Sequence, residues 1–308
     1  MKNIIINIIK LISLIVLIYS VSCNKDTITD PVNSISEFIN EKKVTILGYT
    51  GNAMEPFITK NDKYLFFNNL REDNNKDIYY ATKINDTTFE FKGEIQGVNT
   101  SYVDANPTMD SLNNFYFIST RNLVNGNKTI YSGIFDNGTI INLHQINGTV
   151  NVPTPFWINM GVEISKDGNT LLVSNAKFNI GENFPYKGNI RFAIKSGDDY
   201  NIPDDEQDIL TNINTDDAIE YAGELSADEL EIFYSQVTLS NPVVFKLYYA
   251  KRKKANDVFG KPISITEPFK KSRYAVIEAP SLSNNGKRLY YHKLDSSGTY
   301  SIFMLSRE

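Results

Sequence analysis

The chain of 308 residues has one cysteine, two histidines and one tryptophan. A single cysteine excludes an internal disulfide. His144 and His292 lie far apart and in different repeats, which argues against a histidine-built metal site or a histidine-based triad. No Gly-x-Ser-x-Gly elbow and no phosphate-cradling glycine loop is present. A basic excess is also missing. The net charge of −5 excludes the electrostatic footprint of a nucleic-acid binder. No cofactor and no metal is expected.

Aromatic residues are plentiful. The chain holds 18 Tyr and 18 Phe, 12% aromatic in all, and 41% of it is hydrophobic, a composition that favours strands around a substantial core. The stretch Glu55–Thr82 reads as a short strand, a polar turn opening at Thr59, an apolar strand (Tyr64–Asn68), a polar loop and a third strand (Asp77–Thr82). The same phrase returns four times, with turns opening at Asp110, Ser165, Ser226 and Ser283. Each turn is Ser/Thr-x-Asp/Asn-Gly or a relative, clearest in Ser165-Lys166-Asp167-Gly168 and Ser283-Asn284-Asn285-Gly286, where Asp, Asn and Gly accept positive φ. Near-continuous apolar runs follow, such as Leu65-Phe66-Phe67 and Leu289-Tyr290-Tyr291, as strands buried on both faces require.

An all-strand repeat of about 50–60 residues predicts a β-propeller. Five copies predict five blades, with six as the alternative if a further blade lies within Thr149–Asn159 or Asn175–Thr215. Fourth strands are expected from Glu90–Val98, Thr139–Ile146 and Pro262–Thr266. The last repeat has none of its own, and the orphan strand Lys43–Gly48 is expected to complete it, closing the ring and covering a free edge. The repeat resembles the WD-like repeat of TolB-type β-propellers, whose turn is Ser-Pro-Asp-Gly and whose third strand carries Asp-Ile-Tyr. Asp77-Ile78-Tyr79 keeps the latter phrase, whereas the turn proline is replaced by Lys60, Ser111, Lys166, Ala227 and Asn284. The resemblance covers all five repeats and implies the fold. It leaves function open, since one fold serves many roles. The separate N-terminal domain of TolB is not expected here.

Residues 1–22 read as a secretory signal: Lys2 and Lys10, the apolar run Leu11–Tyr19, then small Ser20 and Ser22. The apolar stretch from Ile4 to Val21 is marginal for a membrane span of about 20 residues. Cys23 directly after it resembles a bacterial lipoprotein signal, in which that cysteine is lipidated, although Ser20 stands where the pattern prefers Leu or Val. The expected order is therefore signal 1–22, lipidated Cys23 and a polar tether to residue 42, and a propeller domain over 43–308. This places the chain at the bacterial cell envelope, periplasmic or surface-exposed, with the membrane reached through lipid.

First strands line a propeller's channel, so their carboxylates are the candidate site. Counted back from the turn-opening residue, Glu55 and Asn106 stand at minus four, Asp104 and Glu220 at minus six, Glu163 and Glu224 at minus two. Shared parity predicts that all six face one side. Glu278, at minus five, breaks the pattern. Such carboxylates serve a ligand or support the blades. Alternatively Glu55, Glu163 or Glu220 supplies the acid/base pair of a glycoside hydrolase, a chemistry that five-bladed propellers are known to host. Asn52, which opens the least repeat-like stretch Asn52–Phe57, joins Glu55 as a candidate, and Trp157 beside Phe156 either stacks on a sugar or partner or fills space between blades. The acidic loop Asp198–Asp208 lacks the spacing of a calcium loop, and Lys251–Lys254 reads as a solvated turn. Two classes of function result: a non-catalytic binding module for a protein, peptide or glycan, and a sugar-active hydrolase.

Overall fold

The computed structural model describes residues 37–308, apart from residue 74 and segments 124–126, 180–184, 240–242, 266–267 and 269–275. The expected signal, Cys23 and most of the tether lie outside the described residues. Among the described residues no helix is long and apolar enough to cross a membrane.

Two short strands come first, β1 (Ile39–Lys43) and β2 (Thr45–Leu47). Meanders of consecutive antiparallel strands follow. The first unit is β3 (Met54–Ile58), β4 (Tyr64–Asn68), β5 (Ile78–Asn85) and β6 (Thr88–Glu94). The second is β7 (Asp104–Met109), β8 (Asn114–Ser119), β9 (Ile130–Asp136) and β10 (Thr139–Gln145). The third is β11 (Trp157–Ile164), β12 (Thr170–Phe178), β13 (Pro185–Ser196) and the short β14 (Asp199–Asn201). The fourth is β15 (Ile219–Leu225), β16 (Glu231–Thr238), β17 (Val244–Lys251) and β18 (Ile263–Ser264), joined to the third by one parallel pair, Gly188 with Ile219. The last unit has β19 (Ile277–Leu282), β20 (Arg288–Leu294) and β21 (Tyr300–Ser306).

The fourth strand of the last unit is β1, antiparallel to β21. An N-terminal strand therefore completes the last repeat, but the expected segment is corrected: Ile39–Lys43 does so. Thr45–Leu47 instead runs parallel to β6 at the outer edge of the first unit. Of the two segments that might hide a sixth repeat, the described part of 149–159 is loop leading into β11. That of 175–215 supplies the end of β12, then β13, β14 and one helical turn, Glu206–Ile209.

The turns explain why the repeats look alike. Ser165 donates its hydroxyl to Asp167 Oδ1 (2.7 Å) and accepts the Thr170 N–H (2.9 Å). The same pair of bonds recurs at Ser226, Ser283 and Thr59. Three residues after each opening position φ is positive, at Asp62, Asn113, Gly168, Glu229 and Gly286. The turn needs no proline, because the side-chain bonds and the positive φ define it.

The apolar runs feed cores that lie between units. Strand β4 sends Phe66 into a cluster with Phe115 and Phe135 of the second unit, while Leu65 and Phe67 pack with Tyr290 and Met304 of the last. Further clusters join the second unit to the third, the third to the fourth and the fourth to the last. Every second strand is thus buried on both faces, and the units pack in cyclic order.

Candidate functional site

Each first strand carries a β-bulge. The register shifts within β3, β7, β15 and β19, where Glu55, Asn106, Ala222 and Ala279 have φ of 50°, 54°, 49° and 55°. All four stand four residues before the turn-opening residue. In β11 the shift falls between Asn159 and Gly161. A bulge inserts one extra residue and so reverses the alternation of side chains beyond it. The parity expectation is therefore corrected. The residues that precede the bulges and those that follow them face different surroundings, and the carboxylates separate into levels.

At the turn end, Glu163 and Glu224 meet around a cation that the sequence reading did not include. Lys60, on the turn after β3, places Nζ 2.8 Å from Glu224 Oε1 and 3.3 Å from Glu163 Oε1. All three side chains are buried. Burial pulls the Lys60 ammonium down, but the two carboxylates outweigh it and hold its pKa above the ordinary lysine value. Glu163 is pushed well up by burial and by the Glu224 charge, and Glu224 is pushed up by burial against the pull of Lys60. Glu163 Oε2 has no hydrogen-bond partner among the described residues, which is the oxygen on which a retained proton would sit.

One level on, Glu55 takes an ion pair from Lys76, whose side chain is 2% exposed. Its second oxygen accepts the Asn106 side-chain N–H (2.8 Å) and backbone N–H (3.2 Å). Between these two levels lies a cavity of about 40 Å³, bordered by Glu55, Asn106, Glu163, Glu224, Pro107 and Pro280. At roughly 10–15 Å³ per water it holds a few waters and no sugar ring.

Beyond Glu55 lies a third group. Tyr221 donates its hydroxyl to Glu278 Oε1, and Glu278 Oε2 lies 3.3 Å from His292 Nε2. His292 Nδ1 accepts the Glu55 backbone N–H (3.2 Å), which leaves Nε2 as the nitrogen that faces Glu278. Burial, reinforced by the Glu278 charge, raises the Tyr221 pKa well above its usual value. Glu278 and His292, neither chosen from the sequence, thus share a cluster with Tyr221.

The remaining candidates are bound locally. Asp104 pairs with Arg121 (2.7 Å) and accepts the Thr100 N–H and hydroxyl, both at 2.7 Å. Glu220 accepts Thr215 Oγ1 (2.7 Å) and Gln236 Nε2 (2.9 Å); burial raises its pKa against these bonds. Asn52 Oδ1 accepts the Tyr300 N–H (3.0 Å), tying the first unit to the last. Trp157 opens β11, half-buried, with Lys177 Nζ 5.8 Å from its ring centroid. No group of three or more His, Cys, Asp or Glu among the described residues is arranged to hold a metal. The acidic loop includes one buried carboxylate, Glu206, which pairs with Arg191 (3.1 Å). The basic run is not simply solvated, since Arg252 is buried with its guanidinium 4.3 Å from the Phe259 ring centroid.

No protein-family model and no curated protein matches this chain. Solved structures do. The catalytic domain of the GH62 alpha-L-arabinofuranosidase of Coprinopsis cinerea is similar over 89% of this chain and 98% of that one, at 11% identity and a TM-score of 0.52. A protein of unknown function from Dyadobacter fermentans is similar over 88% and 99%, at 10% identity and a TM-score of 0.51. TolB from Acinetobacter baumannii matches 83% of this chain at 14% identity and a TM-score of 0.43; the match spans 55% of that TolB's length. At these identities the likeness speaks for the fold alone, an all-β fold of propeller type.

Proposed function

We propose that this chain is a non-catalytic binding module, a five-bladed propeller closed by β1 and held at the bacterial cell envelope by lipid on Cys23. The observation that carries the non-catalytic reading is the neutralisation of the channel. Lys60 and Lys76 are set among Glu163, Glu224 and Glu55, and the carboxylates of Asp104, Glu220 and Glu278 each have an internal partner. Lys60 ties the first unit to the third and fourth, Glu55 ties it to the second through Asn106, and Tyr221 ties the fourth to the last through Glu278, while the small cavity beside them leaves a substrate no room. This supports a rigid disc whose outer surfaces take the ligand.

A second reading, a glycoside hydrolase, is favoured by one observation. Glu163 and Glu224 share one ammonium, and Glu163 is held toward its protonated form, as a general acid requires. The two readings separate on a panel of oligosaccharides offered to the propeller domain. Binding without turnover is the expected outcome. Turnover that collapses in Glu163→Gln while binding survives would overturn the binding-module reading, since general acid–base help is worth about 100- to 10,000-fold.

A further inference from the structure

We propose that the outer wall between the second and third units is a carbohydrate site, an amide-lined pocket beside an aromatic shelf that takes a neutral oligosaccharide. A pocket of about 450 Å³ opens there, lined by Asn122, Asn127, Lys128, Gln145 and Asn151 together with Val152 and Pro153. Its size falls in the roughly 300–1,000 Å³ range of small-molecule sites. Among the described residues the lining has four amides and no carboxylate. Lys128, the one cation, gives its ammonium to Asn147 Oδ1 at 2.6 Å.

The hydrogen bonds give the pocket a direction. Tyr131 Oη accepts the side-chain N–H of both Asn122 (2.8 Å) and Gln145 (3.0 Å). Asn127 spends its N–H groups on the carbonyls of Val152 (3.2 Å) and Thr154 (3.0 Å), and Asn151 gives its own to Ile146 O (3.0 Å). With the nitrogens engaged by protein, the amide oxygens are left as acceptors. Asn151 Oδ1 is buried and has no partner among the described residues. Several fixed, uncharged acceptors suit a ligand rich in hydroxyl donors.

The loop that lines this pocket continues into the shelf. Phe156 is exposed and has φ of 68°, which a bulky side chain seldom adopts. Its carbonyl accepts the Phe178 N–H (3.0 Å), and the next residue, Trp157, donates its N–H to Thr154 O (3.3 Å). Lys177 lies 5.8 Å from the Trp157 ring centroid and 5.7 Å from that of Tyr186, an exposed residue of β13. Phe156 and Tyr186 are exposed and Trp157 is half-buried; such ring faces match the flat C–H face of a pyranose, and the amides of the pocket match its hydroxyl edge. A peptide would find apolar contact here but only Lys128 as a charged anchor in the pocket, so a neutral glycan is favoured.

This inference rests on the binding-module reading and moves the ligand from the channel to the wall. Trp157 is the only tryptophan in the chain, so intrinsic fluorescence reports on the shelf directly. The domain is titrated with neutral gluco-, xylo-, manno- and galacto-configured oligosaccharides, following fluorescence and, for variants, calorimetry. At least one sugar is expected to shift the Trp157 emission saturably. Trp157→Ala and Gln145→Ala should each raise its Kd by at least about tenfold, as befits a hot spot. Trp157→Tyr should largely retain binding, Tyr131→Phe should weaken it by freeing the two amides, and Glu55→Gln should leave it unchanged. Thermal melts confirm folding of each variant. Binding lost in Glu55→Gln but kept in Trp157→Ala and Gln145→Ala overturns the wall site and leaves the binding module standing. Turnover of a sugar overturns the non-catalytic reading, while the wall site still stands or falls on the Kd of the same variants. No sugar bound at all, with or without capture of peptides, overturns the wall site.

Discussion

Lys60 on the turn of the first unit reaches Glu224 on the first strand of the fourth, Nζ to Oε1 at 2.8 Å, across the middle of the molecule. Its second contact, with Glu163 of the third unit, makes one buried ammonium the link among three units. Taking these charges out of water is costly, and only their mutual attraction offsets it.

Replacing Lys60 with Met should therefore be severe. It leaves two buried carboxylates facing one another, and stability at neutral pH should fall by about 3–5 kcal/mol, read from urea unfolding. Adding Glu163→Gln and Glu224→Gln to that variant should restore most of the loss. A Lys60→Met protein as stable as the parent would refute the central role of this ion.

The same triad sets a pH dependence. Burial raises the folded-state pKa of both Glu163 and Glu224 above the ordinary carboxylate value, and the Glu224 charge raises that of Glu163 further. Between the unfolded and folded pKa the native state holds protons that the unfolded chain has released, so stability falls as pH rises through that window. Glu163→Gln keeps an acceptor for Lys60 and cannot ionise. Above the window it should exceed the parent in stability, on the order of 1–3 kcal/mol, and below the ordinary carboxylate pKa the two should converge. Lys60 acts in the opposite limb: its raised pKa contributes stability that is complete below the ordinary lysine value and lost as pH climbs through the folded one. Parallel stability curves for parent and Glu163→Gln between pH 4 and 9 would rule this account out.

Closure depends on β1 and the residue before it. Phe38 is fully buried between Phe233 (ring centroids 5.5 Å) and Tyr249 (6.1 Å) of the fourth unit. Phe38→Ala should cost about 3–5 kcal/mol. Removing the chain through Lys43 should in addition bare the edge of β21 and produce oligomers on size exclusion. A monomeric truncation with an unchanged melting temperature would show that the last unit needs no fourth strand.

The proposed lipid anchor makes its own prediction. Cys23→Ser should move the protein from the membrane fraction to the soluble one, or leave it unprocessed, because several acyl chains on one residue give stable attachment. Retention of a product of mature size on membranes would exclude lipidation.

The repeats were legible because second strands are buried on both faces. Leu65-Phe66-Phe67 must serve two cores at once, and that demand writes a continuous apolar run into the sequence. The turns were legible for a similar reason, as Ser165 and Asp167 make bonds that few other residue types can. The channel was less so. Lys60 and Lys76 come from a turn and a strand-flanking loop, far in sequence from the carboxylates that Lys60 neutralises, and no local pattern marks a lysine as buried. His292 and Glu278 were passed over because they fit no motif; they meet only through pairing of β19 with β20. The closing strand was misplaced because Lys43–Gly48 looks more apolar than Ile39–Lys43. Edge strands, however, are held by backbone bonds and need few apolar side chains, and the buried aromatic that fixes β1 is Phe38, just outside it.

The bulges were the feature that parity counting could not anticipate, and they carry the last prediction. Ala222 and Ala279 occupy the same left-handed position as Glu55 and Asn106, with φ of 49° and 55°. Asparagine tolerates this region, and Glu55 is held there by Lys76 and Asn106, but alanine has no such compensation. A β-carbon in the left-handed region costs about 1–2 kcal/mol, more than the backbone entropy that glycine adds to the unfolded chain, about 0.4–1 kcal/mol. Ala222→Gly and Ala279→Gly should thus each hold or raise stability, by roughly 0.5 kcal/mol, where glycine in a strand ordinarily weakens it. At Asn106 the comparison reverses, because glycine there removes the amide that binds the Glu55 carboxylate. Asn106→Gly should lose about 1.5–3 kcal/mol, the worth of a hydrogen bond to a charged group. Differential melting of the three variants decides it. If both alanine positions lose as much as Asn106, the bulges do not govern how the first strands present their carboxylates.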